Sequence, residues 1–300
     1  MRCGRCLRIL AVPVFVMAAI VLASSASAAP LWTPAEITTA LWLDAGDADT
    51  VTETSGAVSQ WDDKSGNGRN ATAGAGIEPD YVLAEQNGLN VVRLNGTSQY
   101  LNLGTGLDWM AADADHVAFV VLKNDNFANI YGAANGSAGD ASLHVGFHQD
   151  KTHYRLNRWS NDWGPGITAN YNPGAYNLLE FGWDEGGEKF VYANAKLEGT
   201  SGSHTASGLS AMAGGGRIGN VVGQGLLDAD LCEIVMLDTA APTQDTVEKM
   251  EGYLAWKWGL QSSLPSDHAY KDAAPIPEPA SLVLLAVGGL VALRRRRRGS

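Results

Sequence analysis

Cysteine is nearly absent from this 300-residue chain, which contains only three. Two of them, Cys3 and Cys6, lie in the first six residues, and the third is Cys232. If the leading segment is removed, as argued below, one cysteine remains, and a single thiol excludes both an internal disulfide and a cysteine-based metal cluster. The mature chain is therefore expected to contain neither.

Positive charge is scarce between the two ends of the chain. Of the 21 Lys and Arg, three (Arg2, Arg5 and Arg8) lie in the first ten residues and five (294–298) in the last seven, whereas all 32 Asp and Glu lie between them. Residues 29–279 therefore carry 13 bases and a formal charge of −19. Such a body is repelled by nucleic acid and by anionic membrane surfaces. It suits a soluble exported protein, and no nucleic-acid partner is expected.

Several familiar catalytic motifs are also missing. The sequence contains no G-x-S-x-G, no H-E-x-x-H and no Walker-type loop. These absences argue against a serine hydrolase with a nucleophile elbow, a zinc protease that binds its metal through H-E-x-x-H, and a P-loop nucleotide hydrolase.

The first 28 residues have the three-part layout of an export signal. An arginine-bearing start is followed by an apolar run over 9–22 and by small residues that end in Ala26-Ser27-Ala28. This layout predicts a secretory signal peptide over residues 1–28, cleaved near Ala28. The alternative is an N-terminal membrane anchor, which the shortness of the apolar run disfavours.

The C-terminal segment "PIPEPASLVLLAVGGLVALRRRRRGS" contains an uncharged apolar run of 14 residues over 280–293. A helix of that length spans roughly 21 Å, which is short of the ~30 Å hydrocarbon core of a bilayer. The arginines that follow favour the cytoplasmic side. The run therefore predicts a short transmembrane helix that holds the chain in the membrane only transiently.

The order of Pro277-Glu278-Pro279, a short apolar helix and an arginine cluster resembles a PEP-CTERM sorting signal, here over residues 273–300. The resemblance implies that an exosortase-type processing enzyme recognises the tail and removes it near the Pro-Glu-Pro. It also implies a bacterium that makes extracellular polysaccharide, and a mature protein at the cell surface or in the extracellular matrix. The alternative is a plain tail anchor.

The body of the chain consists of short apolar runs separated by Gly, Asn and Asp clusters. Many of these runs alternate apolar and polar residues, which is typical of half-buried strands. About a dozen short strands in one chain predict a single domain built as a two-sheet sandwich. The main candidate strands cover 40–45, 57–61, 90–95, 99–103, 116–123, 142–148, 152–157, 177–183, 189–196, 216–222 and 230–237.

One segment, "PTQDTVEKMEGYLAWKWGLQSSLP", has helical periodicity instead. Its apolar stripe comprises Val247, Met250, Leu254 and Trp258,. Thr243 suits the N-cap and Gly259 the stop. The pattern predicts one amphipathic helix packed on the outside of the sandwich. Trp256 and Trp258 together also suggest a platform for a sugar ring, as an alternative to a stripe that faces the core.

Three stretches of the body resemble the LamG-like group of the concanavalin A-like lectin/glucanase fold. They are "LWLDAGDADTV" with the following "VSQWDDKSGNGRNATA", then "NGLNVVRLNGTSQYLNL", and "ADLCEIVMLDTAAPTQDTVEKMEGYLAWKWGL". The resemblance implies an all-β jelly roll of two antiparallel sheets over residues 29–272. It also implies a binding domain, commonly for carbohydrate or protein and often with calcium. We therefore expect a non-catalytic domain that binds extracellular polysaccharide. A structural or adhesive matrix protein with only protein partners is the alternative.

The loop "DDKSGNG" has the first half of a calcium-binding pattern. Asp63, Ser65 and Asn67 alternate as oxygen donors and are followed by Gly68, but the twelfth position is Gly74 instead of a bidentate Glu,. The pattern predicts an incomplete Ca²⁺ site that needs further oxygens. The alternative is an Asx-type turn in which Asp63 accepts hydrogen bonds from nearby backbone N–H groups.

The segment "HYRLNRWSNDWGPG" combines aromatic and polar side chains in the way that sugar-binding loops do. Aromatic faces stack on the apolar sides of sugars, while carboxylate and guanidinium groups meet hydroxyls. The candidate contacts are Tyr154, Arg158, Trp159, Asp162 and Trp163. In the alternative interpretation the tryptophans cap the core and the charges are solvated.

Glycosidases of the concanavalin-like fold use a strand motif E-x-D-x-x-E, in which two carboxylates act as nucleophile and acid. The nearest match here is "DADLCEIV", with Asp228, Asp230 and Glu233 at that spacing. No catalytic residue is predicted, because the resemblance implies that acids at this position are structural. A secreted glycoside hydrolase acting through Asp228 and Glu233 is the alternative.

Overall fold

The computed structural model describes residues 30–110, 115–134, 142–158, 162–184, 188–202, 215–221, 225–239 and 241–277. The described residues from Leu31 onward belong to one compact unit. The predicted signal peptide, the predicted helix over 280–293, Glu278 and Pro279 lie outside the described residues. Among the helices of the described part, none is long and apolar enough to cross a membrane.

Antiparallel strands make up most of the regular secondary structure of the described part, which confirms the all-β prediction. One α-helix, α1 (Gln244–Lys257), accompanies them, with 3₁₀ turns at Pro34–Glu36, Ala48–Thr50, Asp108–Met110 and Gln261–Ser263. The strands are β1 (Leu41–Asp44), β2 (Val51–Thr54), β3 (Ala57–Trp61), β4 (Ala71–Thr72), β5 (Asp80–Gln86), β6 (Leu89–Asn95), β7 (Leu101–Gly104), β8 (His116–Asn124), β9 (Asn129–Ala134), β10 (Ser142–Phe147), β11 (Tyr154–Arg158), β12 (Asn177–Trp183), β13 (Lys189–Ala193), β14 (Lys196–Thr200), β15 (Gly216–Ile218) and β16 (Asp228–Leu237).

The strands hydrogen-bond along one path, in the order β11-β10-β9-β15-β7-β4-β3-β5-β6-β16-β8-β12-β13-β14, with β1 added to β16 and β2 to β3. Strands far apart on this path nevertheless touch. The rings of Tyr154 in β11 and Phe181 in β12 lie 6.2 Å apart, in an edge-to-face arrangement. Both rings belong to one hydrophobic core. The path is therefore folded over itself as a β-sandwich of the jelly-roll type.

Strands β8 and β16 are buried on both faces, and this explains their unbroken apolar sequences. In β8, Ala118, Val120 and Leu122 enter the core of the sandwich. Val117, Phe119 and Val121 alternate with them and face a second cluster under α1. Because successive side chains of a strand point to opposite faces, a strand covered on both sides loses its polar alternation.

Helix α1 closes the second cluster, as the apolar stripe predicts. Met250, Leu254 and Trp258 are buried there, and Val247 packs at its edge. The Thr243 side chain caps the start of the helix by accepting a hydrogen bond from the Thr246 backbone N–H at 3.2 Å. Full burial of a large apolar side chain contributes about 1.5–3 kcal/mol, so packing holds this helix in place more than intrinsic propensity does.

Candidate functional site

Glu233, a candidate nucleophile or acid of the hydrolase alternative, lies at the bottom of the helix–sheet interface and is 0% exposed. Its Oε1 accepts hydrogen bonds from the Trp42 indole at 2.7 Å and the Tyr253 hydroxyl at 2.8 Å. Its Oε2 accepts from the Trp258 indole and from Lys257 Nζ, both at 2.8 Å. Burial raises the pKa of Glu233, and the neighbouring Lys257 opposes that rise. Each oxygen of the Glu233 carboxylate therefore accepts two hydrogen bonds from protein donors.

Lys257 connects Glu233 to a line of alternating charges that runs outward. Its Nζ lies 2.5 Å from Asp44 Oδ1. The other oxygen of Asp44 lies 2.9 Å from Lys64 Nζ, which in turn lies 2.6 Å from Asp47 Oδ2. This polar network joins α1 to β1 and to the loop that contains Lys64. Such an arrangement holds α1 against the sheet and the Lys64 loop.

The other two acids of the motif differ from Glu233 in their surroundings. Asp230 is buried and accepts hydrogen bonds from Arg93, at 2.5 and 2.9 Å, and from the Tyr176 hydroxyl at 2.9 Å. Asp228 is half-buried, and burial raises its pKa. After Asp228 and Asp230, a bulge between Leu231 and Glu233 shifts the register of β16 against β8. Only Asp228 has appreciable access to solvent.

The "DDKSGNG" loop is organised around the carboxylate of Asp63. One oxygen accepts hydrogen bonds from the backbone N–H groups of Trp42, at 3.0 Å, and Ser65, at 2.9 Å. The other accepts from the Ser65 hydroxyl at 2.7 Å and the Arg69 backbone N–H at 3.0 Å. This is the Asx-type arrangement, extended to a segment distant in sequence.

The donor set of this loop does not fit Ca²⁺, which takes six to eight oxygen ligands. The Asn67 amide is turned away as a donor, to the carbonyl groups of Thr39 at 3.0 Å and Ala40 at 3.1 Å. Within the described ranges, no group of three or more His, Cys, Asp or Glu is placed to hold a metal ion. A Ca²⁺ ion would have to displace the N–H groups that already donate hydrogen bonds to the Asp63 carboxylate.

We therefore expect excess EDTA to leave the melting temperature of the mature protein unchanged, to within about 1 °C. The Asp63 carboxylate is satisfied by hydrogen bonds, so chelation removes nothing from the fold. Differential scanning calorimetry with and without EDTA, and again with added Ca²⁺, measures this. A drop with EDTA that Ca²⁺ reverses would show that the loop binds calcium in spite of these contacts.

The five predicted sugar contacts do not all lie together at the surface. Trp159 lies outside the described residues, and Arg158 ends β11. Tyr154 is only 1% exposed, and its ring packs against Phe147 and Phe181 in the core. Its faces are therefore unavailable for stacking on a sugar. Asp162 is exposed and Trp163 is half-buried, so these two remain accessible.

Asp162 and Trp163 line an open cleft of about 220 Å³ beside β11, which we call the Trp163 cleft. The cleft follows from local pairing. The backbone N–H of Leu156 donates to the Trp163 carbonyl at 2.8 Å. The backbone N–H of Trp163 donates to the Asn157 side chain at 2.7 Å. These bonds fix the backbone of Trp163 beside β11, and its half-buried side chain lines the cleft together with the Asn157 amide and the exposed Asp162 carboxylate.

Three further residues of the Trp163 cleft were not predicted from the sequence: His148, Asp150 and His153. Asp150 Oδ2 lies 3.1 Å from His148 Nδ1 and 2.8 Å from His153 Nδ1. The backbone N–H of Thr152 is the main cause that lowers the pKa of Asp150. The available signal was "HQDKTHY", two imidazoles and a carboxylate where the predicted strand 142–148 ends and the predicted strand 152–157 begins. The cleft thus offers an aromatic face, a carboxylate, an amide and two imidazoles, all groups that bind hydroxylated ligands.

The C-terminal end of the chain matches a known signal. Residues 275–298 match the PEP-CTERM protein-sorting motif. The match contains Pro277, Glu278 and Pro279 and confirms the predicted sorting signal. The motif marks a protein that is exported to the cell surface or the extracellular space and implies processing by an exosortase. No curated protein matches the sequence.

Solved structures share the fold at low sequence identity. Domain 4 of AbnA, a GH43 extracellular arabinanase from Geobacillus stearothermophilus, solved in complex with arabinotriose, is 14% identical, with 68% of this chain and 93% of that chain covered and a TM-score of 0.50. A sialidase from Trypanosoma rangeli is 10% identical, with 74% and 33% covered and a TM-score of 0.49. The NanB sialidase from Streptococcus pneumoniae is 17% identical, with 52% and 26% covered and a TM-score of 0.42. The chain spans only a minor part of both sialidases. At 14% identity, the likeness to the AbnA domain shows the fold alone,.

Proposed function

We propose that this exported protein is a non-catalytic, LamG-like binding protein for extracellular polysaccharide, and that the Trp163 cleft contacts the glycan. The observation that carries the proposal is the half-buried indole of Trp163, fixed beside the Asp162 carboxylate and the Asn157 amide in one open cleft. An aromatic face with adjacent hydrogen-bonding groups matches the amphipathic surface of a sugar ring. The sorting motif supports the location at which such a glycan is met.

The fold and the charge of the body are consistent with this function. The AbnA domain that shares the fold was solved with a bound arabinose trimer. The acidic body disfavours nucleic acid and anionic membranes as partners,. The burial of Glu233 supports a binding role over glycosidase chemistry, because a substrate has no access to a carboxylate that four protein donors enclose.

Trp163→Ala is expected to weaken glycan binding at least about tenfold, because truncation removes the stacking surface and one central aromatic contact often dominates an interface. Asp162→Ala is expected to have a smaller effect in the same direction. Glycan-array screening of the mature protein, followed by isothermal titration calorimetry with the best polysaccharide fragment, measures both. Trp109→Ala is the matched control, since Trp109 is also half-buried against the same core but lies outside the cleft.

Two outcomes would count against the proposal. Retention of no glycan at millimolar concentration would favour the alternative, a structural or adhesive matrix protein with protein partners. Release of reducing sugar that is lost in Asp228→Ala and Glu233→Ala variants would favour the hydrolase.

A further inference from the structure

A second cavity, of about 330 Å³, lies between the outer face of the sheet and α1, apart from the Trp163 cleft. We call it the Glu180 cavity. Strands β8, β12 and β13, helix α1 and the segment that follows the helix contribute to its walls. Its polar lining is dominated by acids, namely Glu180, Glu248, Glu251 and Asp267, with His268 and Gln244. No described lysine or arginine lines it.

Glu180 is the unusual residue of this cavity. Its neighbours Leu179 and Phe181 enter the sandwich core, so the period of the strand directs Glu180 to the opposite face, toward α1,. The residue is 2% exposed, and its Oε1 has no hydrogen-bond partner. Burial and the adjacent Glu251 carboxyl raise the pKa of Glu180. A buried carboxyl oxygen without a hydrogen-bond partner is costly unless a ligand or a proton satisfies it.

His268 holds Glu251 in place through a hydrogen bond. Its Nδ1 accepts a hydrogen bond from the Tyr270 backbone N–H at 3.1 Å, so the proton is on Nε2,. Nε2 lies 2.9 Å from Glu251 Oε2 and donates to it. Tyr270 itself packs on Gly252, where a Cβ would come within 2.7 Å of the Tyr270 Cβ. The cavity therefore has positioned acceptors, with no lysine or arginine among its described lining residues.

We infer that the Glu180 cavity binds an organic ammonium group, carried by a small amine such as an amino sugar or an alkylamine. The free Oε1 of Glu180 and the carboxylate of Glu251 accept from the ammonium N–H donors, while Phe190 and Tyr192 supply aromatic surface of the kind that attracts cations,. The volume is at the lower end for small-molecule pockets and suits a ligand of monosaccharide size.

Binding is coupled to proton release. Without ligand, the raised pKa favours the protonated form of Glu180, because the carboxyl is buried and faces Glu251 and Glu248 of α1, Tyr192 of β13, and Asp267 and His268 of the following segment. An ammonium ion stabilises the ionised form, so the proton leaves when the ligand enters. The affinity for an alkylamine, whose ammonium group stays protonated well above neutral pH, therefore rises as the pH increases through the pKa of Glu180.

The test uses glucosamine, n-butylamine, N-acetylglucosamine and glucose with the mature protein. Glucosamine and butylamine are expected to bind in titration calorimetry and to raise the melting temperature, whereas N-acetylglucosamine and glucose, which lack an ammonium group, are not. If only glucosamine binds, the ligand is an amino sugar. If both amines bind equally, the site recognises the ammonium group and not the sugar ring. Measured proton release should be positive in buffers of different ionisation enthalpy.

Substitutions in the cavity show which of its groups bind the amine. Glu180→Gln is expected to raise the dissociation constant of the amine roughly 10- to 100-fold, since a charge-assisted hydrogen bond is lost. Val247→Phe narrows the cavity and leaves both carboxyl groups, and it should weaken glucosamine more than butylamine. Trp163→Ala should leave amine binding unchanged, so failure of the polysaccharide proposal is distinguishable from failure here.

Three results would overturn the inference. They are equal binding of the neutral sugars, full affinity in Glu180→Gln, and saturation of the cavity by Ca²⁺ with no response to either amine.

Discussion

Lys257→Met is expected to lower the free energy of unfolding by about 3–5 kcal/mol at pH 7, the range observed when one partner of a buried ion pair is removed. The Lys257 ammonium is the only described cation in contact with Glu233. Without it, the carboxylate of Glu233 stays 0% exposed with only neutral donors. Urea denaturation followed by tryptophan fluorescence measures the loss.

The pH dependence of this loss identifies its cause. In the variant, the pKa of Glu233 rises further above its value in the unfolded chain. A raised pKa of an acid gives stability that is present at low pH and lost as pH rises. The difference between variant and wild type is therefore largest at neutral pH and shrinks as pH falls toward 5. Loss of packing alone would give the same difference at both pH values.

A double variant and a surface control complete the test. Lys257→Met combined with Glu233→Gln removes both charges, and it should be more stable than Lys257→Met alone because no charge is left buried without a partner. Asp245→Asn, on the same helix, breaks the ion pair between the exposed Asp245 carboxylate and Lys249 at 2.7 Å, and it should cost less than about 1 kcal/mol,. If the loss of unfolding free energy in the double variant equals the sum of the losses in Lys257→Met and Glu233→Gln, the two residues are not energetically coupled.

Much of the fold was predictable because it depends on local periodicity. The strands predicted over 57–61 and 177–183 have those bounds in the structure, and α1 buries Trp258 as the stripe required. Strand β5 was not predicted, because it is exposed over most of its length and so has no apolar alternation to detect. The predicted strand 216–222 is shorter, Gly216–Ile218.

The candidate sites were less predictable, because they depend on contacts between distant segments. Glu233 is satisfied by groups as far away as Trp42, 191 residues earlier in the chain. No pattern in "DADLCEIV" reveals those donors. Tyr154 resembled a surface aromatic residue because polar neighbours surround it, yet it points into the core. Glu180 and Glu251 lie together only because α1 packs over β12.

Gly164→Ala is expected to cost about 2–4 kcal/mol of folding stability and to abolish glycan binding in the Trp163 cleft. A Cβ at this position would lie 1.8 Å from the carbonyl oxygen of Tyr154, a backbone atom that a rotamer change cannot move. The segment must therefore separate from β11. It would then lose the bonds from Leu156 N–H to the Trp163 carbonyl and from Tyr154 N–H to the Pro165 carbonyl. Each donor left unsatisfied and buried costs about 1–3 kcal/mol.

Gly166→Ala tests whether this effect comes from the close approach or from any added methyl group in the same loop. The nearest atom to a Cβ at Gly166 is the Thr152 carbonyl oxygen at 3.9 Å, an ordinary contact, so this variant should fold and bind glycan like the wild type. Thermal melts and the glycan titration of both variants decide the matter. Unchanged stability in Gly164→Ala would mean that the loop moves freely away from β11, and the indole of Trp163 would then lack the fixed position on which glycan recognition depends.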